Sequence, residues 1–416
     1  MAGDPQPLRL TRLELRNWRN FRGVELDLEK RTFLVGPNAA GKSNLLDAVR
    51  FLHDIVAVGG GFEDAVTRRG GVSSLRCLAA RSKPDIELTV HLGTQVGKPT
   101  WRYELSFGQT SQRRPVLKRE RVLQGDKVRL NRPDKADEED PARLSQTFLE
   151  QVNVNREFRE IADFLRSVRY LHIVPQLIRE PERSVGKKDD PFGGDFLEQI
   201  AATPEKRQKS RLRLILAALQ VAVPQLQKLE MSQDVRGIHH LRGSYEHWRP
   251  HGAWQSESDF SDGTLRLLGL LWAVLDGAGP LLLEEPELSL HPGVVRYIPP
   301  MLNRMQTRTG RQILVSTQST GPASGRRHRS RRGLPAHPRR GGHGGASRVG
   351  LRGDSPAPGR RPEYGRSRHA AYPSRTSGAA RAVCLTPPIR WITRSEPSSI
   401  SRDVSRFVEN STHRLR

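Results

Sequence analysis

Phe33 to Asn44 reads FLVGPNAAGKSN, and this stretch decides how the rest of the chain is read. Within it, Gly36 to Ser43 (GPNAAGKS) fits the phosphate-loop pattern G-x-x-x-x-G-K-[ST]. Arg31 to Val35 is a short β-prone run that ends at the loop. Asn44 to Val58 then places Leu45, Leu46, Val49, Leu52, Ile55 and Val56 at helical spacing. Strand, glycine-framed loop and helix turn successive backbone N–H groups and a helix N-terminus toward one anion. The candidate phosphate-binding run is therefore Gly36, Pro37, Asn38, Ala39, Ala40, Gly41, Lys42, Ser43 and Asn44. Lys42 is expected to reach the outer phosphates and Ser43 to ligate Mg2+ through its hydroxyl. A glycine turn ahead of an ordinary amphipathic helix is the competing reading, and the flanking elements count against it.

Further along, two stretches carry complementary chemistry. Phe260 to Thr264 reads FSDGT and opens a strongly apolar helical run, Leu265 to Leu275. Ser261 and Gly263 at that helix start offer a hydroxyl and backbone N–H groups to an anion; an ordinary N-cap explains the same residues. Next comes PLLLEEPELSLHP, Pro280 to Pro292, in which three leucines form a buried strand that delivers Glu284 and Glu285 at its carboxyl end. Ligands bind at such strand ends in open α/β sheets. Glu284 is assigned to the metal and Glu285 to orienting the attacking water, while Glu287 is read as structural. QILVST, Gln312 to Thr317, is one more buried strand, and Gln318 at its tip is placed to sense an outermost phosphate.

Before the phosphate loop, Leu8 to Leu15 alternates apolar and polar with one slip, and Val24 to Leu28 alternates again. Between them lies a basic turn, RNWRNFRG (Arg16 to Gly23). It reads either as an edge touching nucleotide or DNA backbone, or as a solvated hairpin whose Trp18 and Phe21 pack inward. After the loop, Ile86 to Leu92, Thr100 to Phe107 and Val116 to Leu130 are β-prone. Asp134 to Asp140 (DKADEED) reads as a solvated charged loop. Arg143 to Val152, Arg156 to Val168 and Pro204 to Val223 carry helical periodicity without sustained heptads, which excludes long coiled-coil arms. Leu226 to Trp248 returns to short β-like runs. The expected architecture is α/β: a head made of residues 1–130 and 226–319, with a helical lobe at 131–225 and a low-complexity tail at 320–416.

With 416 residues the chain can bury a sizeable core, and its two cysteines, Cys77 and Cys384, lack metal-type spacing. The N-terminus lacks signal-peptide features and the longest apolar run is too short to span a bilayer, so the expectation is a cytoplasmic protein without a membrane partner. The net charge of +24 is unevenly spread. Residues 320–416 hold 21 Arg, no Lys and 5 acidic residues, so the preceding head is only mildly basic.

RNWRNF, GPNAAGKSN, FSDGTLR, LLLEEPELSLHP and ILVSTQS, in this order, resemble the RecF/SMC-like branch of ABC-type ATPases. More closely they resemble the short, coiled-coil-free AAA-type ATPases grouped with the OLD family. The resemblance covers Leu8 to Ser319, with the helical segment similar only in kind. It implies an ABC-type P-loop head with a mixed sheet and a β-rich lateral part, with ATP and Mg2+ as cofactors. Gly36, Asn38, Gly41, Lys42, Ser43, Ser261, Gly263, Glu284 and Glu285 then share one site. It further implies ATP-dependent homodimerisation, and slow hydrolysis acting as a switch on DNA or on an effector, in repair or in defence against foreign DNA. Two positions depart from the family pattern. Gln318 stands where most relatives carry a switch histidine, and Glu284 where many carry Asp. A non-hydrolysing scaffold that recruits a nuclease-type partner is the alternative. A transporter motor is disfavoured, because FSDGT stands where such motors show LSGGQ.

From Thr320 to about Arg360, Gly, Arg, Pro, Ser, Ala and His replace the orderly composition. Such a run cannot bury enough apolar surface to offset its conformational entropy, and disorder is expected. Two origins are open: a frameshift near codon 320, or an Arg-rich nucleic-acid-binding tail.

Overall fold

The computed structural model describes residues 7–80, 84–180, 182, 189–247, 253–318 and 392–393. Apart from Ile392–Thr393, the tail lies outside the described residues, and with it the expected disorder and frameshift.

Strands β1 (Arg9–Trp18) and β2 (Phe21–Asp27) form a hairpin, and β3 (Arg31–Val35) runs into the phosphate loop. Next, β4 (Ile86–Gln95), β5 (Lys98–Gln109), β6 (Pro115–Gln124) and β7 (Lys127–Arg132) build a meander onto β1. The resulting antiparallel sheet has the order β2-β1-β4-β5-β6-β7 and is the β-rich lateral part. Its alternation is plain in β4, where Ile86, Leu88, Val90 and Leu92 are buried between more exposed neighbours. The slip in the alternation of β1 is a real irregularity, since its register against β4 shifts between Leu10 and Arg12.

A three-residue strand, β8 (Arg169–Leu171), precedes a small antiparallel sheet of β9 (Leu226–Gln233), β10 (His239–Tyr245) and β11 (Ala253–Ser256). Finally β12 (Leu281–Glu284), β13 (Ile313–Thr317) and β14 (Ile392–Thr393) complete a central sheet ordered β14-β3-β13-β12-β8. Four of these strands are parallel and β14 runs antiparallel to β3, so the central sheet is mixed.

Helices cover both faces of the central sheet, which is why β12 and β13 read as unbroken apolar runs. Leu282 and Leu314 point into one core, shared with the phosphate-loop helix (Lys42–Val56) and the lateral sheet. Leu281, Leu283, Ile313 and Val315 point into the other. That second core is shared with the signature helix (Asp262–Leu275) and the helix Ile298–Thr309.

Between residues 131 and 225 the structure departs from the sequence reading in three places. Asp134 to Asp140 is solvated at Lys135, Glu138, Glu139 and Asp140 but is not a loop: Lys135–Glu139 is a short helix closed by an Asp134–Asp137 capping box. Asp137 is buried, taking two hydrogen bonds from the buried Arg132 at 2.8 and 2.9 Å. Nor is Arg143 to Val152 an α-helix; Pro141–Ser145 forms a 3-10 turn and the chain then runs irregularly. The cause is the same cluster. Arg132 draws the carbonyls of Arg143 and Gln146, and buried Glu120 accepts the N–H groups of Phe148 (2.8 Å) and Leu149 (3.1 Å). The three charged side chains buried together, Arg132, Asp137 and Glu120, need every one of these partners, and the backbone supplies them in place of helical bonds. Third, the helices Arg159–Arg166 and Glu205–Leu219 are present, but β8 lies between them in the central sheet. Ile161 and Leu165 of this stretch enter the first core, Leu212 and Ile215 the second.

Candidate functional site

The carboxyl ends of β3, β13 and β12 lie side by side, with Leu34, Ser316 and Glu284 in register across them. Beyond Val35 the chain turns through the phosphate loop, where Ala39 (φ 60°) and Gly41 (φ 96°) adopt left-handed backbone conformations. At Gly41 a side chain has no room: a Cβ would lie 2.5 Å from Asn20 Nδ2 and 2.5 Å from Phe21 Cζ. The basic turn therefore packs against the loop. Trp18 and Phe21 are buried, so the inward-packing reading of RNWRNFRG describes its aromatics. Trp18 Nε1 donates to the Asn44 carbonyl (2.8 Å), and Asn44 Nδ2 donates to Asn20 Oδ1 (2.8 Å). Gly41→Ala is expected to destabilise the fold by on the order of 1–3 kcal/mol, from backbone strain alone. Thermal unfolding measures it, and an unchanged midpoint would mean that the loop relaxes freely.

Lys42 is buried and donates through Nζ to the carbonyls of Gly36 (2.8 Å) and Pro37 (2.9 Å). An ammonium has three donors, so one is left for an anion inside the loop. Ser43, the next residue, donates through Oγ to Glu284 Oε1. This bond joins residues that lie 241 positions apart. Burial raises the pKa of Glu284 and the neighbouring charge of Glu285 adds to it, while the Ser43 hydrogen bond opposes both.

Glu285 lies one residue past β12 at φ 42°, with its N–H donating to the Ser316 carbonyl (3.0 Å). Its carboxylate accepts from Gln318 Nε2. Glu287, read as structural, accepts from Thr317 Oγ1 (2.5 Å) and from the Gln318 N–H (2.9 Å), and so clamps the tip of β13. Glu284, Glu285 and Gln318 are thus brought to one sheet end with Lys42 and Ser43.

Ser261 and Gly263 are arranged differently. Ser261 caps the signature helix, its Oγ accepting from the Thr264 N–H (3.2 Å). A Cβ on Gly263 would lie 3.1 Å from Leu290 and 3.5 Å from the Ser289 carbonyl. Among the described residues no hydrogen bond joins Ser261 to the phosphate loop. Two residues that sequence reasoning missed border the site: Tyr170 on β8, whose hydroxyl donates to Glu284 Oε2, and Arg50, whose guanidinium lies 4.8 Å from the Tyr170 ring centroid. A three-residue strand inside a helical stretch gives too little pattern to be found by periodicity.

The donor set suits a phosphate-bound divalent cation. One hydroxyl and one half-buried carboxylate meet where the loop would place phosphate. Among the described residues no cluster of three His, Cys, Asp or Glu side chains could form an all-protein cage. Mg2+ characteristically takes one or two protein oxygens and completes its shell with phosphate and water.

Residues 31–321, more than half of the chain, match the family model described as AAA domain, putative AbiEii toxin, Type IV TA system. The chain is 32% identical over 111 residues to the DNA replication and repair protein RecF of Rhizobium leguminosarum bv. trifolii, covering 26% of this chain and 29% of that protein. It is 48% identical over 46 residues to Structural maintenance of chromosomes protein 1 of Schizosaccharomyces pombe, covering 11% of this chain and 4% of that one. The matches thus span less than a third of the length of these curated relatives. Among solved structures, the Smc head bound to the C-winged helix domain of ScpA aligns with a TM-score of 0.47 at 14% identity, covering 76% of this chain and 91% of that chain. Among the described residues no helix is long and apolar enough to cross a membrane. The family match runs from β3 through the phosphate loop, the signature helix, β12 and β13, and the chain belongs to this AAA domain family, with shorter stretches similar to RecF and SMC proteins.

Proposed function

We propose that this chain binds MgATP at the carboxyl end of its central sheet and hydrolyses it slowly, as a switch acting on DNA or on a DNA-directed effector. The observation that carries the reading is the Ser43–Glu284 hydrogen bond, which brings the helix after the phosphate loop and the acidic strand end to a single point. The loop N–H groups and Lys42 hold the phosphates. Ser43 and Glu284 hold Mg2+, which when bound neutralises charge on the phosphate oxygens. Glu285 orients the attacking water, and Gln318, hydrogen-bonded to Glu285, registers the outermost phosphate. Multiple-turnover phosphate release from the full chain tests this; ATP bound without any release would leave only the binding half.

Ser261 supports a two-protomer site, since its hydrogen bonds stay within its own helix start. Facing the phosphate loop of a second copy, it would complete that copy's site in a two-fold arrangement with two ATP molecules at one isologous interface. Sedimentation of Glu285→Gln is expected to show a dimer only with MgATP, and Ser261→Arg to abolish it while each monomer still binds ATP. A monomer in every nucleotide state would defeat the two-fold reading.

A DNA role rests on the relatives, one of which is named for DNA replication and repair. The second reading is a non-hydrolysing scaffold that recruits a nuclease-type partner. Gln318 favours it, because an amide does not exchange a proton near neutral pH as a histidine does. The same phosphate-release measurement separates the two.

A further inference from the structure

Tyr170 stands on β8, the strand next to β12, and is in register with Leu282, two residues short of Glu284. Two residues of strand measure roughly 6.6 Å, a span that a phenol can cross along the sheet edge. The Tyr170 hydroxyl donates to Glu284 Oε2 while Ser43 donates to Oε1, so each carboxylate oxygen has its own donor. The Tyr170 ring is held in turn beneath the Arg50 guanidinium, 4.8 Å from its centroid. Arg50 belongs to the phosphate-loop helix, about two turns beyond Ser43. One helix therefore supplies Ser43 directly and orients Glu284 indirectly, through Tyr170.

We propose that Tyr170 is a positioning residue for the divalent-cation site. By holding Oε2 it fixes the Glu284 carboxylate with Oε1 turned toward Ser43, so that a cation arriving with phosphate meets an oriented ligand. This rests on reading Ser43 and Glu284 as the cation ligands. Hydrogen bonds that orient a metal ligand from outside are typically worth 10–100-fold in metal affinity.

The test is calorimetric titration of the full chain with a non-hydrolysable ATP analogue, first in EDTA and then with excess Mn2+. In the parent, Mn2+ should strengthen nucleotide binding. In Tyr170→Phe, which keeps the ring and removes only the hydroxyl, that gain should shrink by ~10-fold or more. Nucleotide affinity in EDTA and the melting temperature should stay at parental values. Equal gains in parent and variant would overturn the proposal, and so would a fall in metal-free affinity or melting temperature, which would make the residue merely structural. A parent that gains nothing from Mn2+ would overturn the cation reading of Ser43 and Glu284 itself. Arg50→Met, which uncovers the ring but leaves the hydroxyl, should reduce the gain less than Tyr170→Phe. A loss as large would assign the effect to the guanidinium and overturn the role given to the hydroxyl.

Discussion

Glu285→Gln is expected to bind MgATP as the parent does and to hydrolyse it at least ~10²-fold more slowly, the usual scale for a lost positioned base. The three glutamates at this strand end are not equivalent. Glu284 is held by Ser43 and Tyr170, and Glu287 by Thr317 and the Gln318 N–H. Glu285 is engaged through Gln318 Nε2, an amide that can yield to a water or a phosphate oxygen. Its backbone position is set by the N–H bond to Ser316 and not by the carboxylate, so exchanging that group for an amide should leave the loop in place. An amide keeps the shape and loses the proton acceptor. Steady-state and single-turnover phosphate release measure the effect, and unchanged turnover would move the role to one of the other two glutamates. The same substitution should prolong the life of the ATP-bound dimer, because hydrolysis is what would release it.

Lys42→Ala is expected to weaken ATP binding roughly a hundredfold or more, the scale of a few kcal/mol for one charge-assisted phosphate contact. Calorimetry measures it, and equal affinities would rule out the site as drawn. The fold should survive. Lys42 donates to two carbonyls of its own loop, and the loop is held independently by the Asn20–Asn44 and Trp18–Asn44 hydrogen bonds and by the absence of a side chain at Gly41. A small change in melting temperature alongside a large loss of binding would place the effect in the phosphate contact and not in folding.

Some of this was legible without coordinates because the physics is local. Gly36 to Ser43 is contiguous, and its glycine spacing with Lys-Ser, between a β-prone run and a helical run, reads as an anion loop from adjacent residues alone. Leu281 to Leu283 and Ile313 to Val315 are short apolar runs, and short apolar runs ending in polar residues are what a covered parallel sheet requires of its strands. Alternation in β4 and the slip in β1 both survive as a strand and a register shift, since a two-residue period shows on any half-buried strand.

What escaped was decided by partners that local periodicity and composition do not reveal. DKADEED is solvated by its composition, yet Asp137 is buried because Arg132, five residues earlier, turns inward beside Glu120 and must be neutralised there. Arg143 to Val152 has a helical apolar period, but its carbonyl and N–H groups are taken by that same cluster. Tyr170 could not be assigned to the site from a three-residue strand; only the pairing of β8 with β12 sets its hydroxyl against Glu284, 114 residues away. The sequence by itself determined the glycine-framed turn between strand and helix, the buried strands and the acidic strand end, all written in adjacent residues. The tertiary structure decided which carboxylate faces Ser43, which faces Gln318 and which clamps the strand, because those choices depend on hydrogen bonds that form only when separate strands of one sheet lie side by side.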